Sequence, residues 1–460
     1  MRQIVNDLCI ELARTNFFKL LIVNIFNDLY NKTQGNMYAM KKILFSCLIF
    51  TTPLAASAAG FALIEQSASG MGNAFAGGGA VAEDASTIYF NPAGMTYIEG
   101  TQLVGALHLI KPNVEFNGTI SPLGKPVGDN GGDAGDLAFL PNMYFKTDFN
   151  DSVKIGVGVS APFGLKTEYD STWKGRFHAI KSEVKTININ PSLALKVNNQ
   201  LSIGAGVSAM WAQATLTNAV NFGVAGEGSA RVKGDDWGFG FNLGAIYQLT
   251  PDTRVSTAYR SKIDQTLDGD VTFVRPTNIL PPQVLAATAN GNVSADISLP
   301  ETFSLSAFSK IDSTWDVMGD VTWTHWSRFK ELRIVRSNGA LVGGAATPEN
   351  WSNTMRYSIG ANYHLNEAIK LRGGLAYDEE AISDQFRTAR IPGNDRKWLT
   401  LGANWKVMPN SSLDVGYAHL FISDATIDSS KNELNPAKGV LKGSFDGSVD
   451  ILSLQYTHNF

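Results

Sequence analysis

The chain is poor in cysteine: its 460 residues hold two, Cys9 and Cys47. Both precede the processing site expected after Ala58, so disulfide staples, Cys-ligated metals and thiol nucleophiles drop out together. Charge is scarce, with Asp, Glu, Lys and Arg at 17%. Without residues 1–58, 32 basic and 39 acidic residues remain, a net of −7. That balance does not suit a general nucleic-acid binder, and no nucleic-acid partner is expected. Long apolar runs are lacking too. No stretch of roughly 18 or more apolar residues follows the N-terminal region, which argues against membrane helices. The six histidines stand in no nucleophile or metal motif and no G-x-S-x-G occurs, so neither an enzyme nor a cofactor is expected.

What is present begins with an export signal that starts late. From Met40, Lys41 and Lys42 form a basic start, 43–54 an apolar stretch, and Ala56-Ser57-Ala58 a small-residue cleavage site. Residues 40–58 therefore read as a signal peptide, with Ala59 the first processed residue. Residues 1–39 read as a misassigned start extension; the alternative is a genuine leader with an amphipathic helix around 17–26.

After residue 100 the pattern alternates with period two. In Trp237-Gly-Phe-Gly-Phe-Asn-Leu-Gly-Ala-Ile-Tyr247 large apolar residues take the odd positions, and Gly or Asn most of the even ones. The stretches 201–211, 315–324 and 369–378 repeat this, which predicts strands with one apolar and one small or polar face. Short connections are expected at 148–152, 197–200, 249–252, 311–314, 365–368 and 408–411. Longer polar ones are expected at 113–135, 163–181, 218–231, 274–293, 337–350, 381–393 and 427–444. Strict short–long alternation predicts an all-β transmembrane antiparallel β-barrel of about 14 strands over 101–460. An even count puts both termini on the periplasmic side of a Gram-negative outer membrane. The ending Leu452, Leu454, Tyr456, His458, Phe460 resembles the C-terminal signal read by the outer-membrane assembly machinery, with His458 its one imperfect position.

Residues 59–100 do not alternate. They are rich in Gly and Ala, and about 40 residues with so few large side chains cannot fold alone. They are expected to fill the barrel lumen as a plug, or hatch; the alternative is a loose periplasmic tail that leaves Phe61, Leu63, Met71, Phe75, Tyr89 and Phe90 in water.

Several motifs then resemble the FadL/TodX family of outer-membrane transporters of hydrophobic compounds. They are Ala59-Gly60-Phe61, Ser69-Gly70-Met71-Gly72-Asn73-Ala74, Asn91-Pro92-Ala93, Leu140-Pro141-Asn142-Met143, Pro162-Phe163-Gly164-Leu165, Tyr259-Arg260-Ser261, Leu299-Pro300-Glu301, Trp326-Ser327 and Arg390-Ile391-Pro392. The ordered set spans nearly all of the processed chain. The resemblance implies a 14-stranded barrel with an N-terminal hatch. It also implies a ligand that enters from outside, reaches an apolar pocket and leaves sideways through a gap in the wall.

Pro162-Phe163-Gly164 is the candidate gap, because Pro cannot donate to a ladder and Gly weakens one; otherwise these residues simply end a strand. The resemblance sets this kink beside Asn91-Pro92-Ala93, which is at least a rigid turn. Phe61 is a candidate gate that ligand displaces, or a fixed anchor. For a carboxylate, lumen-facing basics include Arg260, Arg356 and Arg372, each able instead to pair with Asp316, Asp320 or Asp378. By resemblance Arg333 matches a basic pocket residue, while a second aligns near Asn218 and is missing. Ile279-Leu280-Pro281-Pro282 with Val284-Leu285, and Trp173 to Phe177, are candidate docking loops.

The expected cargo is a long-chain fatty acid carried by passive diffusion, with outer-membrane lipid around the barrel. Aromatic or alkane hydrocarbons are the alternative, and a lipid-modifying barrel enzyme a remoter one.

Overall fold

The computed structural model describes residues 60–460 except 122–126, 278 and 433–434. The expected start extension and signal lie outside the described residues. No described helix is long and apolar enough to cross a membrane.

Nineteen strand segments form one antiparallel sheet. Four strands are interrupted once, and the short Val335–Arg336 piece adds onto a neighbour, which leaves fourteen wall strands. They are β1 (Gln102–Ile120), β2 (Ala138–Asp148), β3 (Val153–Ser160, then Gly164–Glu168), β4 (Lys181–Lys196) and β5 (Leu201–Asn221). Next come β6 (Glu227–Gln248), β7 (Thr253–Arg260, then Ile263–Val274), β8 (Gly291–Leu299, then Thr302–Lys310), β9 (Trp315–Thr324) and β10 (Thr354–His364). The last are β11 (Ile369–Asp378), β12 (Arg396–Met408), β13 (Ser411–Ile422, then Ala425–Asp428) and β14 (Leu441–Asn459). β1 pairs with β14 from Gln102 opposite Asn459 to Ile120 opposite Leu441, which closes the barrel.

The period-two pattern becomes two faces. Leu371 and Leu375, Leu399 and Leu401, Leu413 and Val415, and Leu452 and Leu454 are exposed outward. Between them Arg372, Ala376, Trp398, Thr400, Asp414, Ser453 and Gln455 are buried inward. An exposed apolar band around a closed barrel is the surface that hydrocarbon solvates.

The six tight turns form where expected. Five share one device: Asn150, Asn198, Thr250, Asp312 and Asn366 each accept backbone N–H bonds two and three residues on. The 218–231 connection is not a long loop. β5 and β6 run out to Asn221 and Glu227, because main-chain bonds between paired strands persist beyond the band whatever the side chains.

Residues 60–98 pack against the inner face around most of the ring. Ala68 N–H donates to Gln455 on β14 (3.0 Å), Asn73 to Ala361 O on β10 (2.9 Å), and Gly79 N–H to Ser306 on β8 (3.2 Å). Asn142 of β2 donates to Glu65 O (2.9 Å), and Arg260 of β7 to Tyr89 O (2.8 Å). Glu83 pairs with Lys370 (2.5 Å) and Arg372 (2.6 Å), and Arg372 also with Asp414 (2.7 Å). Of the expected Asp partners, Asp316 holds His364 and Asp320 holds Ser306 and Thr322, while Asp378 stands opposite Arg356 across the β10–β11 ladder.

The glycines of the inner face now have a reason. A Cβ on Gly244 would stand 1.9 Å from Asn91 Oδ1, on Gly204 2.4 Å from Ala93 N, and on Gly374 2.2 Å from the Asn73 carbonyl carbon. The wall is pared to backbone where the N-terminal segment presses on it. Gly244→Val should therefore unseat Asn91-Pro92-Ala93 without touching a ladder bond, at about 1–3 kcal/mol of overpacking. A folded barrel with higher single-channel conductance in a planar bilayer is expected; unchanged conductance and thermal transition would contradict the seating.

Candidate functional site

The site begins at the interruption of β3. Ser160 stands opposite Asn188 and Gly164 opposite Lys185, so Ala161, Pro162 and Phe163 face only Thr186 and Ile187. Three residues against two make a bulge, which bends a strand and ends regular pairing. The Thr186 hydroxyl bridges it, donating to Phe163 O (2.6 Å) and accepting from Phe163 N–H (3.1 Å). On the other side, β2 pairs with β3 only from Met143 opposite Val159 down to Asp148. Its outer half, from Ala138 to Asn142, pairs with β1 alone. The wall has a gap there.

The N-terminal segment lies across this gap. Ala62 forms an antiparallel bridge with Phe163. Leu63 N–H donates to Pro162 O (2.7 Å), and Gly164 N–H to Phe61 O (2.9 Å). Gln66 donates to Ala161 O (3.2 Å), and Tyr144 OH to Gln66 O (3.0 Å). Phe61 to Leu63 thus pair with the β3 bulge, and the Glu65 and Gln66 carbonyls take the Asn142 and Tyr144 side chains of β2.

The Phe61 ring enters an aromatic pocket, with centroids 4.8 Å from Trp326, 5.7 Å from Trp351, 6.0 Å from Phe163 and 6.3 Å from Phe329. Ile382, Ile391, Met210, Ile263 and Leu299 complete the buried cluster. Gly60 is required beside it: φ is +60°, and a Cβ would stand 2.7 Å from Trp351. Its N–H donates to Glu380 (3.2 Å), which also receives Arg396 at 3.5 Å.

Phe61, Pro162, Phe163 and Gly164 are therefore one constellation. Asn91-Pro92-Ala93 is not hydrogen-bonded to it. Asn91 donates to Gly79, Ala245 and Thr257 carbonyls, so it anchors the segment on β6 and β7 instead. Arg260 lies over Tyr89 (4.4 Å) and donates to its carbonyl, and Arg356 donates to Ala74 O (2.8 Å); both hold the segment. Arg333 is not brought to the pocket. Its side chain is 52% exposed on an outer loop and paired with Glu331 (2.6 Å), because the chain after Phe329 turns outward into that loop. Near Asn218 a cation is supplied from elsewhere: Arg390 donates to Asn218 (3.4 Å) and Ser182 (3.1 Å), beside Ile391 of the pocket.

Trp173 and Phe177 are buried, with Trp173 stacked on Tyr169 at 4.0 Å, so that loop has spent its aromatics on its own core. Ile279 is 92% exposed ahead of the short helix Pro282–Ala287, and this loop keeps an apolar outer surface. Sequence reading missed Trp351, Phe329, Ile382 and Glu380, which come from outer loops whose path no periodicity reveals. A separate concavity of about 980 Å³ lies on the lipid-facing wall, against Tyr247, Leu305, Val321 and Ile359. It shares no lining residue with the aromatic pocket.

One titrating group lies in the gap-sealing segment. Burial pushes the Glu65 carboxyl up to about 7, against the smaller opposing pull of Arg396 and Arg356. A raised carboxyl favours the protonated docked form, so this contribution is complete below about 4.5 and lost as pH rises through about 7.

The family described as outer membrane protein transport protein (OMPP1/FadL/TodX) matches residues 49–460. A long-chain fatty acid transport protein of Escherichia coli O6:H1 is 30% identical over 420 residues, covering 84% of this chain and 92% of its own length. Outer membrane protein P1 of Haemophilus influenzae is 32% identical over 428 residues, covering 83% and 90%. Among solved structures, a Pseudomonas aeruginosa FadL homologue superposes with TM-score 0.81 at 25% identity, covering 87% of this chain and all of its own. The Pseudomonas putida toluene transporter TodX shares the fold at TM-score 0.63 and 16% identity, covering 82% and 94%.

Two outcomes are expected. Phe61→Ala removes a ring whose truncation typically costs about 3–5 kcal/mol, so the Leu63 and Gly164 amides should exchange at least ~100-fold faster, with the β1–β14 amides unchanged. The same two amides should be better protected at pH 5 than at pH 8, after correction for intrinsic rates, and Glu65→Gln should remove that difference.

Proposed function

The chain belongs to the OMPP1/FadL/TodX family of outer membrane transport proteins, and from that premise we propose that it carries long-chain fatty acids inward by passive diffusion. It is a multi-pass outer membrane protein of the hydrophobic-compound transport type, and members of this family are transporters, not enzymes. In this reading residues 40–58 are removed on export, 1–39 are not part of the working protein, and 59–100 act as the hatch. Phe460, exposed at the end of β14, is what the assembly machinery engages.

One observation carries the transport reading. The same short segment puts the Phe61 ring in the aromatic pocket and its backbone on the β3 bulge. A ligand that takes the place of the ring must pull Ala62 and Leu63 off Phe163 and Pro162. The gap beside the outer half of β2 then opens to lipid, and an acyl tail leaves sideways without crossing water. No energy input is needed beyond the gradient. The exposed loop at Ile279 is the first apolar surface an incoming tail meets.

Arg390 supports a fatty acid over a hydrocarbon, since it stands at the pocket rim next to Ile391 and can hold a carboxylate while the tail lies among the rings. The hydrocarbon reading draws on the pocket lining itself, which is wholly apolar at Phe61, Phe163, Trp326 and Phe329.

The test is uptake of labelled oleate by cells lacking their own transporter, complemented with residues 40–460. Uptake should be restored, and lost on deletion of Gly164 at equal surface expression. With purified protein, Arg390→Gln should weaken oleate quenching of tryptophan fluorescence by roughly tenfold, the scale of one charge-assisted hydrogen bond, and leave hexadecane unaffected. A folded barrel that takes up toluene but not oleate would retire the fatty-acid assignment.

A further inference from the structure

β3 is not the only strand whose pairing fails. β6 pairs with β7 from Ser229 opposite Val274 to Asp235 opposite Asp268, and again from Asn242 opposite Arg260 to Gln248 opposite Arg254. Between these ladders Asp236 to Phe241 face Ser261 to Leu267, six residues against seven, with no ladder pairs. Side chains stand in for the backbone: Thr266 N–H donates to Asp236 Oδ2 (2.7 Å), and Phe241 N–H to Ser261 Oγ (2.9 Å). One main-chain bond remains, Ser261 N–H to Phe241 O at 2.8 Å. The β5–β6 ladder runs unbroken through the same level, and the β7–β8 ladder skips only Ser261-Lys262 against Pro300-Glu301 there, so the weakness is centred on one seam.

The seam is closed from inside by Ile263 and Gln265, both buried. They rest on two glycines of the alternating Trp237–Tyr247 stretch. A Cβ on Gly238 would stand 2.5 Å from Ile263 Cγ2 and 2.8 Å from Gln265 Nε2, and one on Gly240 2.8 Å from Ile263 Cγ1. Gln265 reaches across β6 to donate to Met210 O on β5 (3.2 Å), and its buried Oε1 has no hydrogen-bond partner. Ile263, Met210 and Leu299 belong to the aromatic pocket that Phe61 fills. Outside, Trp237, Phe239 and Phe241 are exposed. Trp211 donates to Asp235 just above them (3.1 Å), which sets the seam at the outer edge of the apolar band. Ile263, with Gln265 beside it, therefore stands between the pocket and the outer leaflet.

We propose that this seam is a second lateral port, through which an unbranched alkyl chain dissolved in the outer leaflet reaches the aromatic pocket, with Ile263 as the side chain that moves. The inference rests on the reading of that pocket as the ligand site. The unpaired stretch is roughly 20 Å long at about 3.3 Å per residue and is floored by glycine, a slot for an extended chain rather than a ring. It leads inward from the membrane, whereas the β3 gap leads out.

The processed chain has no cysteine, so single thiols report cleanly. In lipid vesicles the Ile263→Cys variant should react with N-hexadecylmaleimide at least tenfold faster than with a charged water-soluble maleimide, and oleate should slow that reaction. Relative to the same variant reduced, a Gly238→Cys/Ile263→Cys disulfide should slow oleate transfer from vesicles into the pocket at least fivefold, with reductant restoring the rate. If oleate binds but the Ile263→Cys variant stays unlabelled from the membrane, or the disulfide leaves the transfer rate unchanged, the seam is only a bend in β7 and the port is wrong. If the wild type binds no oleate while the Ile263→Cys variant still labels from the membrane and hexadecane competes, the fatty-acid reading falls and the port stands.

Discussion

A main-chain amide that faces hydrocarbon has nowhere to hydrogen-bond except another strand. That constraint demands the closure of β1 on β14. It then creates a second requirement, because a ring of fourteen strands encloses more space than its own inward side chains fill. The N-terminal segment fills it by backbone, not bulk. Inward glycines at 204, 244 and 374 let its main chain lie within touching distance of the wall, and wall side chains take up the carbonyls and amides that its short helices leave over.

The same constraint explains why the two wall irregularities are informative. A ladder that stops in lipid must be completed by something else. At β3 the substitute is another piece of chain, Phe61 to Gln66, whose removal would leave the bulge at Ala161 to Gly164 unsatisfied. At β6–β7 it is the side chains of Asp236 and Ser261, with Ile263 and Gln265 packed behind. Both meet one aromatic cluster, so the occupant of that cluster bears on two parts of the wall.

Much of this was legible in the sequence. Alternation located the strands because an outward side chain must be apolar at every second position, and the short connections between them located the tight turns. Pro162 and Gly164 flagged the break, since neither suits a ladder, and Phe61 was conspicuous as an aromatic near a chain end. What stayed hidden was long-range. Nothing in the sequence brings Trp351 or Glu380 to Gly60, and the cation near Asn218 comes from Arg390, 172 residues away. Arg333 was placed by resemblance, which does not show that the loop after Phe329 turns outward and pairs it with Glu331. The glycine alternation was read as a small-residue face, but its cause lies in a segment more than a hundred residues upstream.

Ala68 meets Gln455 across 387 residues, and Gln102 meets Asn459 across 357. Contacts of that span close very long loops, and the entropy cost of closure grows with loop length. The strand that latches the ring is therefore also the one that grips the first-made segment, and a chain truncated near its end loses both grips at once.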